Sequence, residues 1–158
     1  MPYDVIVEQV EAEPMAAVAA RARRAELADA IRGGLDEVYA LLRATDPGPL
    51  GCNVVFYLPF APGETQVFDL RIGVRLSGAF APQGKVIAAE TPAGRAAHVV
   101  YFGPYSRMRA AHDAIHIWAN QAGQRLTGAS WEVYDDWSED PAQLRTDVYY
   151  QLEDAARG

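Results

Sequence analysis

The sequence predicts an α+β fold made of two pseudo-twofold βαββ units, which share one antiparallel sheet with both helices on one face. Three observations predict it. The chain has 158 residues, half of them hydrophobic and 22% charged, which suits one packed domain over 1–158. It also repeats itself at an offset of about 78 residues: Val67–Val74 aligns with Arg145–Leu152, matching Asp69 with Asp147, Leu70 with Val148 and Val74 with Leu152. At nearly the same offset Ile31, Val38 and Leu41 fall on Met108, Ile115 and Trp118, and Asn53–Tyr57 falls on Ser130–Tyr134. Finally, the order of elements recurs in the two copies, about 1–77 and 84–154. A solenoid repeat of ~20–50 residues is too short to account for this period.

In the first copy Tyr3–Gln9 alternates as a strand does, and Met15–Ala22 continues it past Pro14. Leu27, Ile31, Leu35, Val38 and Leu42 then recur at helical spacing over Glu26–Ala44. Gly33 and Gly34 weaken that helix by about 1 kcal/mol each relative to Ala, and the run Asp46-Pro-Gly-Pro49 stops it. Val54–Leu58 and Val67–Leu76 are the next strands, separated by a turn at Pro59–Gly63. Ser77–Gly84 links the copies. In the second copy Lys85–Phe102 is extended and broken at Pro92, and Gly103-Pro104 opens a helix with proline in its first turn. Met108, His112, Ile115, Trp118, Ala119 and Ala122 form its buried stripe, Gly123 ends it, and Trp131–Trp137 and Leu144–Leu152 close the sheet.

Several function classes are excluded at this level. With 14 Lys and Arg against 21 Asp and Glu, the net charge is −7, which leaves no general footprint for nucleic acid. No apolar run approaches the ~20 residues that span a bilayer, and the first residues lack the basic and apolar regions of a signal peptide. A single cysteine, Cys52, forms no internal disulfide. A cytoplasmic protein is therefore expected, with no direct nucleic-acid or membrane partner. His112 and His116 have the i, i+4 spacing of zinc ligands, but Asp113 stands where the motif needs Glu and no third ligand is evident. No metal and no cofactor is expected, and His112 is expected to pack in the helix interface. Neither a Gly-x-Ser-x-Gly elbow nor a phosphate loop is present.

The face of the sheet opposite the helices is where a ligand cleft is expected. Strand alternation puts Val148 and Leu152 toward the helices and Asp147, Tyr149 and Gln151 away from them. By the same logic Glu132 and Tyr134 oppose Val133, and Val55 and Tyr57 oppose Val54 and Phe56. Tyr101 and Tyr105 flank the Phe-Gly-Pro turn. That open face gathers tyrosines around one carboxylate, Glu132, which is how a site for a bulky organic cation is built. An aromatic face attracts a cation by about 0.5–1 kcal/mol, rising to ~2 when desolvated. A field of the same sense comes from Glu132, Asp135, Asp136, Glu139, Asp140, Asp147, Glu153 and Asp154, opposed between 132 and 154 by Arg145 alone. Tyrosines in strands also serve packing, and acidic runs are also solvated faces.

Tyr101-Phe-Gly-Pro-Tyr105, a helix carrying Trp118, Trp131-Glu-Val-Tyr134 and Thr146-Asp-Val-Tyr149 together resemble the GyrI-like small-molecule-binding family, which also forms the effector-binding domains of bacterial multidrug-sensing transcription regulators. The resemblance runs from about Pro2 to Glu153 and implies a stand-alone member, since the chain has no room for the DNA-binding region of the regulators. It implies a cleft between pseudo-symmetric halves for amphipathic, often cationic compounds, with Glu132 as the ligand-contacting glutamate and Tyr57, Tyr134 and Tyr149 as its aromatic ring. Tyr101 stands where many relatives carry His. Three roles follow from the resemblance: effector binding or toxin sequestration, hydrolysis of strained cyclopropane rings in genotoxic natural products, and action on a protein partner such as gyrase or a regulator. In the hydrolytic role Glu132 is a general base, and Tyr134 or Tyr149 stabilises developing charge.

Overall fold

The computed structural model describes residues 3–45, 48–78 and 80–154. Their strands are β1 (Ile6–Val10), β2 (Pro14–Arg23), β3 (Leu50–Tyr57), β4 (Val67–Leu76), β5 (Val86–Glu90), β6 (Gly94–Phe102), β7 (Leu126–Tyr134) and β8 (Arg145–Leu152). Helix α1 is Leu27–Thr45 and α2 is Arg109–Ala122, each preceded by a single 3-10 turn. All eight strands form one antiparallel sheet in the order β1-β6-β8-β7-β3-β4-β2-β5. Adding the offset sends β1 to β5, β2 to β6, β3 to β7 and β4 to β8, and this turns the strand order into its own reverse.

The long first strand expected in each copy is two strands, so the unit is ββαββ rather than βαββ. In each copy the first strand leaves its own half: β1 pairs with β6, and β5 pairs with β2. The break falls at Glu11–Glu13 and again at Thr91–Ala93, where Glu13 N–H donates to Thr91 Oγ1 and Thr91 N–H donates to the Glu13 carbonyl. These two residues stand 78 apart, so the crossing marks the pseudo-twofold axis.

That crossing dictates the shape of the sheet. In a flat sheet six strand spacings of ~4.8 Å would hold β1 about 29 Å from β2. The three-residue link between them reaches roughly 14 Å at most. The sheet must therefore curl, and it curls toward the face that carries no helix. Met15, Ala17, Val54, Ala96 and Trp131 on that face are buried to 3% exposure or less, packed with Val10, Phe56, Val133 and Tyr149.

The other face holds both helices, as expected. Val38 and Leu42 of α1 pack on Val18, Val55, Leu70 and Ile72, while Ala111 and Ile115 of α2 pack on Ala97, Val99 and Val148. Gly34 is not merely a weak point of α1. A Cβ there would stand 3.0 Å from Ile72 and Val18, so its absence lets the helix settle onto the sheet. Gly33 has open space around it. The α2 helix ends at Gly123 in the left-handed region, with its N–H on the Ala119 carbonyl. Asp46 and Pro47 of the expected stop lie outside the described residues. Strand β7 ends at Tyr134, three residues short of the expected Trp137. Among the described residues no helix is long and apolar enough to cross a membrane.

Two glycines separate helix propensity from close packing. Gly33→Ala is expected to stabilise the fold by about 1 kcal/mol and raise the melting temperature by roughly 2–4 °C. Gly73→Ala would drive a Cβ to 1.8 Å from the Ala16 carbonyl oxygen, and it should melt far below the wild type. Thermal unfolding followed by circular dichroism measures both.

Candidate functional site

One residue from each of seven strands forms a continuous row across the helix-bearing face: Val86, Val18, Ile72, Val55, Glu132, Val148 and Val99. Six are aliphatic and the seventh is a carboxylate at 5% exposure. Glu132 sits opposite Val55, its counterpart in the other copy, and hence beside the pseudo-twofold axis. A buried carboxylate is costly unless hydrogen bonds hold its charge. Here three side chains do so. Tyr134 donates to Oε1 at 2.6 Å and Tyr57 donates to the same oxygen at 3.2 Å. The His112 Nε2 lies 2.7 Å from Oε2. Tyr57 and Tyr134 are themselves counterparts in the repeat, so the symmetry delivers both phenols to one oxygen.

The chain of contacts continues behind the histidine, where His112 Nδ1 is 2.7 Å from the Tyr150 hydroxyl. Burial, then the charge of Glu132, pushes the Tyr150 phenol up to about 12, although a hydrogen bond from Ser130 pulls the other way. Burial and Glu132 raise Tyr57 and Tyr134 as well. These phenols therefore remain donors across the neutral range. His116, edge-on to Tyr150 at 4.9 Å, is pushed down by burial and by His112.

The floor is open because the helices do not cover it. The α1 helix rests mainly on β2 and β4, and α2 rests on β6 and β8, which leaves the central pair β3 and β7 uncovered between them. The result is a cleft of about 1500 Å³. Leu27, Ile31, Leu35 and Tyr39 of α1 form one wall, and Met108, His112 and His116 of the second helical segment form the other. Phe60 and Phe68, with Arg24 over the Phe68 ring at 5.6 Å, lie toward one end. Toward the other end Tyr105 meets Tyr134 edge-on at 5.3 Å, near Asp135, Asp136 and Trp137.

Four expectations need correction. The cleft lies on the helix side of the sheet, not opposite it, because the curled face is filled by its own core. Tyr149 is not beside Glu132: its partner across β7 is Trp131, whereas Glu132 is paired with Val148. Its ring stacks between Trp131 at 5.1 Å and His98 at 4.3 Å on the curled face. Tyr101 is buried beneath α2, with its hydroxyl donating to the Pro104 carbonyl at 2.6 Å. It braces the turn and does not line the cleft. Tyr57, Tyr105, Glu132 and Tyr134 do line it. His112 faces the carboxylate rather than the helix interface.

The fold has known counterparts. The EcmrR C-terminal domain superposes with a TM-score of 0.78 at 17% identity, covering 98% of this chain and all of that one. The chain therefore shares the fold of that domain. EcmrR in a DNA complex also matches, with a TM-score of 0.79 and 17% identity over 97% of this chain, which spans 58% of that longer protein. A hydrolase from Listeria innocua matches at 0.64 and 10% identity, covering 96% of this chain and 93% of that one. SAV2435 bound to tetraphenylphosphonium matches at 0.65 and 13%, covering 96% and 94%. No protein-family model matches the sequence, and no curated protein matches it either.

Reading by sequence missed two residues of this cleft, His112 and Tyr150. A usable signal existed for the first: His112 and His116 share a helix face one turn apart, and polar residues on a buried stripe need partners. The phenols offer a direct check. The unfolded chain loses phenol protons near pH 10 while Tyr57 and Tyr134 hold theirs, so stability is expected to fall as pH rises from about 10. Replacing Glu132 with Gln should lower both phenol pKa values, read as phenolate absorbance in an alkaline titration.

Proposed function

We propose that the cleft binds aromatic or amphipathic cations, with Glu132 as their counter-charge, and that the protein works by binding, as an effector sensor or a sequestering protein. One observation carries this reading: a buried carboxylate interrupts an otherwise aliphatic row, at the floor of a cleft walled by aromatic and aliphatic side chains. A neutral ligand would be served as well by valine at that position, which is what the other copy has. A lipophilic cation gains both the carboxylate and the faces of Tyr57, Tyr105 and Tyr134. The neighbour with tetraphenylphosphonium bound supports the same ligand chemistry.

A second reading is favoured by the 2.7 Å contact between His112 and Glu132. A carboxylate oriented by imidazole can take a proton from water, and the phenol of Tyr134, held protonated, can donate to a developing oxyanion. That would make the protein a hydrolase, of strained cyclopropane rings in the case the family resemblance implies. The neighbour described as a hydrolase supports it. Turnover separates the readings: a binder saturates at one equivalent, whereas a hydrolase releases ring-opened product from excess substrate.

For the leading reading, Glu132→Gln is expected to weaken tetraphenylphosphonium binding at least about tenfold, since bonds to a charged group are worth ~1.5–3 kcal/mol. Neutral aromatic ligands should lose much less. Equal losses for both, or none, would sink the reading. Trp137 is 71% exposed at the cleft and Trp131 is 3% exposed on the far face. The fluorescence change on binding should accordingly disappear in Trp137→Phe and survive in Trp131→Phe.

A further inference from the structure

We propose that His112 sets the charge the cleft accepts: as an imidazolium it is the internal cation of Glu132, and an incoming cation must displace its proton to use that carboxylate. The inference rests on the reading of Glu132 as ligand contact and adds a proton to it. Its basis is geometric. Of the two carboxylate oxygens, Oε1 is already taken by the two phenols, and Oε2 faces His112 at 2.7 Å. On its far side the imidazole meets the Tyr150 hydroxyl at the same distance, and hydroxyl oxygen both donates and accepts. Neutral imidazole donates from Nε2 and accepts the Tyr150 proton at Nδ1, while imidazolium donates from both nitrogens. Both protonation states are thus fully hydrogen-bonded, and the network does not lock either one.

The charges around the ring decide the sign. On its own helix His112 stands one turn from His116, which burial and His112 itself push toward the neutral form. Arg109, one turn the other way, is tied to Asp113 at 3.9 Å. From the sheet it faces Glu132, with Tyr150, Tyr57 and Tyr134 held protonated. Across the cleft Arg32 is paired with Asp29, and Arg24 lies over Phe68. Among the described residues Glu132 is therefore the one anion in contact with the ring. With that carboxylate empty of ligand, imidazolium at 112 is favoured. With a cation on it, the imidazolium faces a like charge and releases its proton to solvent.

The test uses the full chain, tetraphenylphosphonium as the cation and triphenylphosphine oxide as a neutral ligand of similar shape, titrated calorimetrically from about pH 5 to pH 8.5. Cation affinity is expected to rise with pH by up to about tenfold per unit and then level off, while the neutral ligand stays flat. Two buffers of different ionisation enthalpy should show release of up to one proton per bound cation. His112→Gln and His112→Asn, each checked for folding by circular dichroism, should flatten the cation profile. A flat profile with no proton release in the wild type overturns the inference, as does a slope that persists in either folded variant. Glu132→Gln keeps the failures apart: if it binds the cation as tightly as wild type at every pH, the reading of Glu132 itself has failed. If it binds weakly while the His112 variants keep the wild-type slope, only the inference has.

Discussion

The pairing of β3 with β7 is the contact on which the rest of the molecule depends. It is the seam between the two halves, and its register puts Val55 against Glu132. Around that point the repeat brings Tyr57 and Tyr134 to the same carboxylate oxygen from opposite sides of the axis. A slip of one residue would send Glu132 to the curled face and replace it with Trp131 or Val133. The seam is thus a structural joint and the floor of the cleft at once.

Two consequences follow from how the halves are completed. Each copy lends its first strand to the other, so the two links between first and second strands must cross, and the crossing forces the sheet to curl. A curled sheet buries its concave face without a covering layer. It also splays the convex face, where each helix sits over its own outer strands and neither reaches the centre. The cleft is therefore what remains when two helices cannot cover eight strands. Breaking the symmetry at one position then gives it chemistry: the first copy has valine where the second has glutamate.

The concave face carries its own polar cluster. His98 lies between the carboxylates of Glu8 at 3.0 Å and Asp147 at 3.5 Å, off the line of a hydrogen bond, and its ring stacks on Tyr149. Burial acts to raise the Asp147 carboxyl, but His98 and Arg145 hold it below its usual range. This arrangement ties the borrowed strand β1 to β6 and β8. It explains why tyrosine at 149 belongs to the architecture while tyrosine at 150, one residue on, belongs to the cleft.

Much of this was legible in the residues. Helical spacing located both helices, the 78-residue offset located the repeat, and alternation put Glu132 with Tyr134 and Val55 with Tyr57. These are properties of a single strand or helix, fixed by local geometry. Alternation leaves open which face of one strand continues which face of the next: Tyr149 does lie away from the helices, but Glu132 and Tyr134 lie on the opposite face from it. The usual guide, that apolar residues mark the helix side, fails where both faces are buried: Trp131 and Val133 face the curled core, and the polar Glu132 faces the helices. Tyr101 was misplaced by a different route, because its bond to Pro104 exists only once the turn before α2 has folded back. Contacts such as His112 with Glu132, twenty residues apart on a helix and a strand, depend on how far the helix sits from the sheet. That distance is set by packing at Gly34, Val38 and Ile115, and only the tertiary structure decides it.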